Sequence, residues 1–243
     1  MAAADLMAQE FERLRRELTT YLTRLVVRPA VAEELVQTAF VRALEARATA
    51  PTRIEELRPW FFQIATNLGI DERRRHGSWR EDLILDAPRE VHDRPALMEA
   101  MRSHQGSPET AAVAREHLTT CFACTLGQLP PGHAEALLLK EVYGFTIEEA
   151  AKILGARFAQ VKNWIQAARA KMEERYAATC ALIRKDGVCF QCVQLDGFFR
   201  ADRGSPLGGT DGTLRVRLTI LQDMRETLPG PWARILGDLL GEL

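Results

Sequence analysis

The chain has 243 residues, of which 47% are hydrophobic and 27% charged, and its formal net charge is −1. This composition is typical of a globular protein and excludes a disordered or collagen-like chain. No apolar run approaches the ~20 residues of a membrane span. The first residues lack the basic and apolar segments of a signal peptide, so we expect a cytoplasmic protein.

Three helices are predicted in the first third of the chain. Apolar residues recur there at intervals of three and four, which indicates an amphipathic helix. They are Phe11, Leu14, Leu18, Tyr21, Leu22 and Leu25. Pro29 opens a second helix, whose apolar face continues to Leu44. Pro59 opens a third helix, which runs into the basic residues 73–75 and ends near Gly77.

The remaining chain divides into three segments. Residues 79–110 contain prolines and many charged residues and are predicted to form a linker, with a short helix at 96–101. Residues 111–178 form a second helical block, interrupted at 129–132 and at 143–145. Residues 179–243 are rich in glycine and contain predicted helices at 214–227 and after Pro231.

A helix-turn-helix is predicted within the second helical block. Thr146 is a suitable N-cap, Gly155 supplies the turn, and a second helix runs from Phe158 to Met172. Val161, Ile165 and Ala168 face inward in that helix, so the polar residues between them face outward and can contact bases or phosphates. Those residues are Gln160, Lys162, Asn163, Gln166 and Arg169. The alternative is a helical hairpin with a solvated polar face.

The third helix provides a second candidate for nucleic-acid binding. One of its faces carries Gln63, Asn67, Asp71 and Arg74 at helical spacing. Trp60 and Trp79 flank this face, and aromatic rings can stack on unpaired bases. The alternative is that Trp60 is a core residue and that the arginines are a solvated helix end.

Together these segments resemble one family, the extracytoplasmic-function sigma factors of bacterial RNA polymerase. Residues 32–43, AEELVQTAFVRA, resemble the helix that docks on the polymerase clamp. Residues 59–75, PWFFQIATNLGIDERRR, resemble the helix that melts and reads the minus-ten promoter element. Residues 129–131, LPP, resemble the entry to the C-terminal domain, and residues 143–169 resemble the helix-turn-helix that reads the minus-thirty-five element.

The resemblance implies an all-α protein that is not an enzyme, with core RNA polymerase and promoter DNA as partners and an anti-sigma factor as a further candidate. Its domains would be 1–78, which binds the clamp and the minus-ten element, and 111–178, which reads the minus-thirty-five element. The implied polymerase contacts are Glu33, Glu34, Leu35, Val36 and Gln37. The implied DNA contacts are Asn67, Asp71, Arg73, Arg74, Arg157, Gln160, Lys162, Asn163, Gln166 and Arg169.

The sequence departs from the family pattern at three places. Thr38 stands where the family has an acidic residue, and Ala159 and Gln160 replace a usual Gly-Thr pair. Trp164 replaces a usual basic residue. The last two departures fall on the second helix of the helix-turn-helix, so they bear on which promoter sequence this domain reads.

The five cysteines indicate metal or redox chemistry, because structural disulfides are rare in a reducing cytoplasm. Cys189 and Cys192 follow a turn with the spacing of a zinc knuckle, and Cys180 supplies a third thiol. Some sigma factors of this family pair a cysteine at the position of Cys121 with later cysteines, which implies Cys121 as the fourth ligand. Cys124 and His117 are alternatives for that position.

Several readings of the cysteines and of the whole chain stay open. The thiols would also accept copper(I) or cadmium, or form a disulfide that releases the metal. In each case we expect the extension at 179–243 to regulate the sigma factor in cis. A thiol oxidoreductase would need a βαβ setting around its Cys-x2-Cys pair. A repressor would use the helix-turn-helix without polymerase, and would not need the first three helices.

Overall fold

The computed structural model describes residues 2–49, 56–75, 108–179, 214–228 and 230. Within these ranges the chain is entirely helical and contains no strand, which confirms the all-α prediction. The helices are α1 (Ala2–Val26), α2 (Pro29–Thr49), α3 (Leu57–Arg75), α4 (Pro108–Gly127), α5 (His133–Glu141), α6 (Ile147–Leu154), α7 (Phe158–Thr179) and α8 (Leu214–Asp223). The predicted helices at 96–101 and after Pro231 lie outside the described residues.

Helices α1, α2 and α3 pack together and form the first half of the structure. The apolar stripe of α1 predicted from the sequence is buried along its whole length, from Phe11 to Leu25. A sharp turn at Val27, whose φ is 58°, ends α1, and Pro29 begins α2 as predicted. Helix α3 begins two residues before Pro59, which therefore lies in the first turn, where a missing N–H removes no intrahelical bond.

Helices α4 to α7 form the second half, and α5, α6 and α7 pack on one another. Helix α4 begins at Pro108, inside the predicted linker, because a proline is well suited to a first helical position. Helix α7 continues to Thr179, seven residues beyond its predicted end at Met172. The interruptions predicted at 129–132 and 143–145 are both present between the helices.

The two halves share one hydrophobic core. Helix α1 packs on α4, and α3 packs on α6, so that the first and second halves lie directly against each other. Helix α8 packs on α4 and α7, and its Leu214, Leu218 and Leu221 belong to the same buried cluster. Within the described part of the chain, no helix is both long and apolar enough to cross a membrane.

Candidate nucleic-acid interface

Local hydrogen bonds stabilise the helix-turn-helix, with Thr146 as the N-cap that the sequence predicted. Thr146 Oγ1 accepts a bond from the Glu149 amide at 3.1 Å, and Glu149 Oε2 accepts one from the Thr146 amide at 2.7 Å. This reciprocal pair satisfies two amides that the start of α6 would otherwise leave without partners. It also lowers the pKa of Glu149, chiefly through the bond from the Thr146 backbone. Gly155 ends α6 in the left-handed conformation, with a φ of 58°.

One face of α7 is buried in the core, so only the opposite face is open to a ligand. Val161, Ile165 and Ala168 are buried, as predicted. The opposite face is polar and basic and stays exposed. It carries Arg157, Lys162, Asn163, Gln166 and Arg169, while Gln160 is half-buried at its edge. Arg169 forms an ion pair with Glu141 at 2.5 Å, so Arg157 and Lys162 are the stronger candidates for phosphate contacts.

Two aromatic residues of α7 play parts that the sequence did not predict. Trp164 lies against the turn before α5, where its ring is 5.8 Å from the ring of His133 and covers Gly132. The departure from the family pattern at Trp164 is therefore a packing feature and not a groove-facing one. Phe158, at the first position of α7, is 46% exposed. No sequence signal marks Phe158 as a surface contact, because it lies three residues before Val161 and continues the apolar spacing of the buried face.

The outer face of α3 remains open at three of the predicted positions. Asn67, Asp71 and Arg74 are exposed, and Arg74 lies 3.8 Å from Asp71. Gln63 is half-buried and donates to the backbone oxygen of Lys152 in α6 at 3.4 Å. Trp60 is half-buried and packs against the core, as the alternative interpretation expected.

Arg73 lies in the contact between the two halves. It forms a buried ion pair with Glu135 at 2.5 Å and donates to the backbone oxygen of Leu129 at 2.7 Å. Glu135 is fully buried, and its second oxygen accepts a bond from the Gly132 amide at 2.6 Å. The predicted DNA contact of Arg73 is thus not available in this arrangement, because the guanidinium faces the second half and not solvent.

The face of α2 proposed for polymerase is exposed at three of its five predicted positions. Glu33, Glu34 and Gln37 are exposed and Leu35 is half-buried. The Val36 side chain is only 1% exposed and packs in the core, so in this arrangement it is not available to a partner. Leu44, expected on the inner face, is exposed, and so is Val41. Residues 34, 37, 41 and 44 follow helical spacing and form one exposed stripe.

The predicted metal ligands are only partly described. Cys121 and Cys124 are half-buried in α4, and Arg217 Nη1 of α8 lies 3.7 Å from Cys121 Sγ. Cys180, Cys189, Cys192 and the side chain of His117 lie outside the described residues. Within the described ranges, no group of three or more potential ligands is gathered at one point. Either thiol can serve as one ligand of a thiophilic metal, so the described residues fit one of the four positions of the predicted site.

Two family models match the chain, in the order of its two halves. The first is Sigma-70 region 2, over residues 11–79, and the second is Sigma-70, region 4, over residues 119–172. The first match covers the described parts of α1, α2 and α3 from residue 11 onward. The second covers α4 from residue 119 onward, all of α5 and α6, and α7 as far as Met172.

Curated relatives show the same similarity. The chain is 28% identical over 159 residues to the RNA polymerase sigma factor CarQ of Myxococcus xanthus, covering 63% of this chain and 79% of that protein. It is 30% identical over 142 residues to the ECF RNA polymerase sigma factor EcfG of Rhodopseudomonas palustris, covering 58% of this chain and 68% of that protein. A third relative is the ECF RNA polymerase sigma factor SigG of Mycobacterium tuberculosis, 28% identical over 182 residues. This match covers 67% of the chain but only 46% of SigG, so the chain spans less than half of that relative.

Proposed function

Because the chain belongs to the extracytoplasmic-function RNA polymerase sigma factors, we propose that three surfaces of its described helices bind core polymerase and promoter DNA. It is an alternative sigma factor, which initiates transcription and is not itself an enzyme. We infer that it acts in the cytoplasm, where its polymerase and promoters are. A separate anti-sigma factor stays a prediction of the resemblance.

The exposed face of α7 carries the proposal for the minus-thirty-five element. It presents Lys162, Asn163 and Gln166 from a helix whose opposite face is packed in the core, and Arg157 is exposed directly before the first residue of that helix. Side chains of this kind read base edges and hold phosphates when such a helix enters a major groove. Phe158 opens the same helix, and an exposed phenyl ring there can pack on a thymine methyl group.

The exposed face of α3 supports the proposal for the minus-ten element. Asn67 and Asp71 offer hydrogen-bonding groups, and Arg74 offers a cation, on one side of a helix fixed by Phe61 and Phe62. Arg73 joins this surface only when Glu135 releases it. The exposed stripe of α2 supports docking on polymerase, because Val41 and Leu44 add apolar area to a polar rim, as protein interfaces require.

The function is tested by transcription in vitro with purified core polymerase and a library of promoter fragments. We expect promoter-specific transcripts only when the chain is present. The absence of any chain-dependent transcript across the library would contradict the proposal.

The DNA-facing side of α7 is tested by salt dependence. We expect Lys162→Ala to weaken promoter binding at all sequences and to reduce the slope of log affinity against log salt by about one unit, because one phosphate contact is lost. Lys171→Ala is the matched control, since nine residues place Lys171 about 180° from Lys162 around the helix, beside Glu174. Equal slopes for the two variants would show that this face does not contact DNA.

We also propose that the cysteines bind a thiophilic metal that links the extension to α4. Cys121 is half-buried on α4 and lies 3.7 Å from Arg217 Nη1 of α8, so a metal at this thiol would sit where the extension packs on the helix. We expect about one zinc per chain and few reactive thiols in protein purified without oxygen. Cys121→Ser should lower the zinc content more than Cys124→Ser. Finding no metal and five reactive thiols in the full chain would contradict this proposal.

A further inference from the structure

We propose that helix α8 and the turn after it, residues 214–228, form a latch that holds the two halves of the chain in a closed state unable to bind both promoter elements. The proposal rests on the proposed function, because the closed state matters only if α3 and α7 both read promoter DNA. It concerns a segment that lies beyond both matched family regions.

The closed state is built from polar contacts that join the two halves directly. Besides the buried pair of Arg73 and Glu135, Arg58 of α3 donates to the backbone oxygen of Tyr143 at 2.8 Å. A bond to Glu17 of α1 at 2.7 Å, within the first half, holds the Arg58 guanidinium in place. That guanidinium also lies 4.2 Å from the centre of the Phe145 ring. These arginines of the first half therefore use carbonyl, carboxylate and ring partners in the second half.

Aromatic packing completes the contact. Tyr21 meets Tyr143 edge to face, with ring centres 5.2 Å apart, and Phe62 meets Phe145 in the same way at 4.9 Å. All four side chains are buried. Such a contact resembles the interior of a single domain more than a passing encounter between two domains.

The closed state cannot engage both elements of one promoter. The minus-ten and minus-thirty-five elements are separated by about 25 base pairs, or about 85 Å of duplex at 3.4 Å per pair. In the structure α3 packs on α6, which packs on α7. Packed helices lie about 8–10 Å apart, so the two reading helices are about 20 Å apart. The halves must separate before both elements can be read.

The latch is bonded to the second half by apolar and polar contacts. Leu214, Leu218 and Leu221 of α8 are buried in the common core. Gln222 donates to the backbone oxygen of Glu141 at 2.5 Å, and Asp223 pairs with Arg115 at 2.9 Å. These contacts seat α8 on α4, α5 and α7.

The latch is bonded to the first half through α1. Arg24 donates to the backbone oxygen of Met224 at 2.9 Å and to that of Leu221 at 3.3 Å. Its other terminal nitrogen donates to the Tyr143 hydroxyl at 2.7 Å, and Thr20 donates to the backbone oxygen of Arg225. A cation at the carbonyl end of a helix is favourable, so Arg24 stabilises the seated latch.

The position of Arg24 makes the latch a bridge and not merely an extra helix. The halves can separate only if Arg24 leaves the carbonyl oxygens of the latch or if α8 leaves the second half. Either step removes contacts that only the closed state makes. If a partner binds only the open state, its apparent affinity is lower when most molecules are closed. Loosening the latch raises the open fraction and therefore raises that apparent affinity.

The test uses the full chain with α8 displaced from its seat. Leu218→Asp with Leu221→Asp places two charges on the buried face of α8. Thr219→Asp is the matched control, because Thr219 lies on the same helix and faces solvent. Hydrogen exchange of the free proteins is compared at α3 and α6, which face each other across the halves, and at α2, which reports on the fold of the first half.

In the double variant, we expect faster exchange at α3 and α6 and unchanged exchange at α2. We also expect a roughly tenfold gain in apparent affinity for core polymerase, as a rise of the open population from about 1% to about 10% would give. The Thr219→Asp control should match the wild type. Unchanged exchange at α3 and α6 in the double variant would overturn the proposal, and so would a loss of polymerase affinity accompanying faster exchange.

A second variant covers the case in which the double variant unfolds and exchanges faster at α2 as well. Arg24→Met removes the donors that bridge to the latch and leaves the apolar face of α8 intact. It also removes one bond to the Tyr143 hydroxyl, so Tyr143→Phe, which loses that bond and keeps the bonds from Arg24 to the latch, is the matched control. We expect faster exchange at α3 and α6 from Arg24→Met too, and protection there equal to the wild type would overturn the proposal. The exchange measurements need no polymerase or promoter. A wrong prediction about the latch can therefore be told apart from a wrong prediction about transcription.

Discussion

At the scale of single residues, the carboxylate of Glu149 gives the helix-turn-helix a defined response to acid. Its pKa in the folded chain lies below the ordinary value of 4.5, chiefly because the Thr146 amide bonds to its charged form. The stabilisation from this bond is therefore fully present above pH 4.5 and is lost as the pH falls through the lowered pKa.

We expect the Thr146 amide resonance to titrate with a midpoint below pH 4.5, followed by nuclear magnetic resonance of the full chain. Glu149→Gln is the control, because glutamine keeps the hydrogen-bond acceptor and has no charge to lose. That variant should show no such titration. A midpoint at or above 4.5 in the wild type would contradict the assigned bond.

The buried pair of Arg73 and Glu135 couples two residues that lie 62 positions apart in the chain. We expect Glu135→Gln to lower the free energy of unfolding by about 3–5 kcal/mol, because it leaves the guanidinium buried without its counter-charge. Adding Arg73→Met should restore part of the loss. A double-mutant cycle in urea measures this coupling, and strictly additive losses would show that the pair does not form.

At the scale of elements, the turn between α4 and α5 depends on Gly132. Its φ is 89°, and a Cβ there would lie 3.1 Å from ring atoms of Trp164. We expect Gly132→Ala to destabilise the fold by about 2–4 kcal/mol, adding steric overlap to the strain of a positive φ.

The matched control for this turn is Gly144→Ala. Gly144 has a φ of 73°, and nothing lies within 4 Å of a Cβ placed there, so its cost is backbone strain alone, about 1–2 kcal/mol. Thermal unfolding of both variants measures the difference. Equal losses would mean that Trp164 does not pack on the turn.

Elements with local signals could be predicted from the sequence. The helix-turn-helix follows from Thr146, Gly155 and the apolar spacing of α7, all of which act within a few residues. The apolar spacing of α2 places Val36 on the same face as the buried Ala32, Ala39 and Ala43. The resemblance to a docking helix favoured a surface position, and the periodicity was the better guide.

The contacts between elements could not be predicted in the same way. The sequence marks Arg73 and Arg58 as cations on α3, but their partners come from distant segments without a shared periodic pattern. A helical pattern predicts which face of a helix is polar. It does not predict whether that face is exposed to solvent or packs against the other half of the chain. The closed arrangement and the seat of α8 were therefore absent from the sequence-based expectations.

At the scale of the whole molecule, the common core predicts cooperative unfolding. Residues of both halves and of α8 belong to one buried cluster, so the described parts should melt together. We expect one transition for the wild type in scanning calorimetry and a broader, less cooperative transition for Leu218→Asp with Leu221→Asp, because the coupling between its halves is weaker. Two transitions in the wild type would contradict a shared core.

The way Arg24 enters the carbonyl end of α8 has a consequence for protein engineering. The seat of α8 is assembled from side chains that both halves supply, with Arg24 and Thr20 from the first and Tyr143 close beside them from the second. A chimera that carries residues 214–228 on a relative without these partners would gain a helix, but that helix would not hold its two halves in the closed state. The segment is therefore not a transferable module, and a functional transplant would have to move its seat with it.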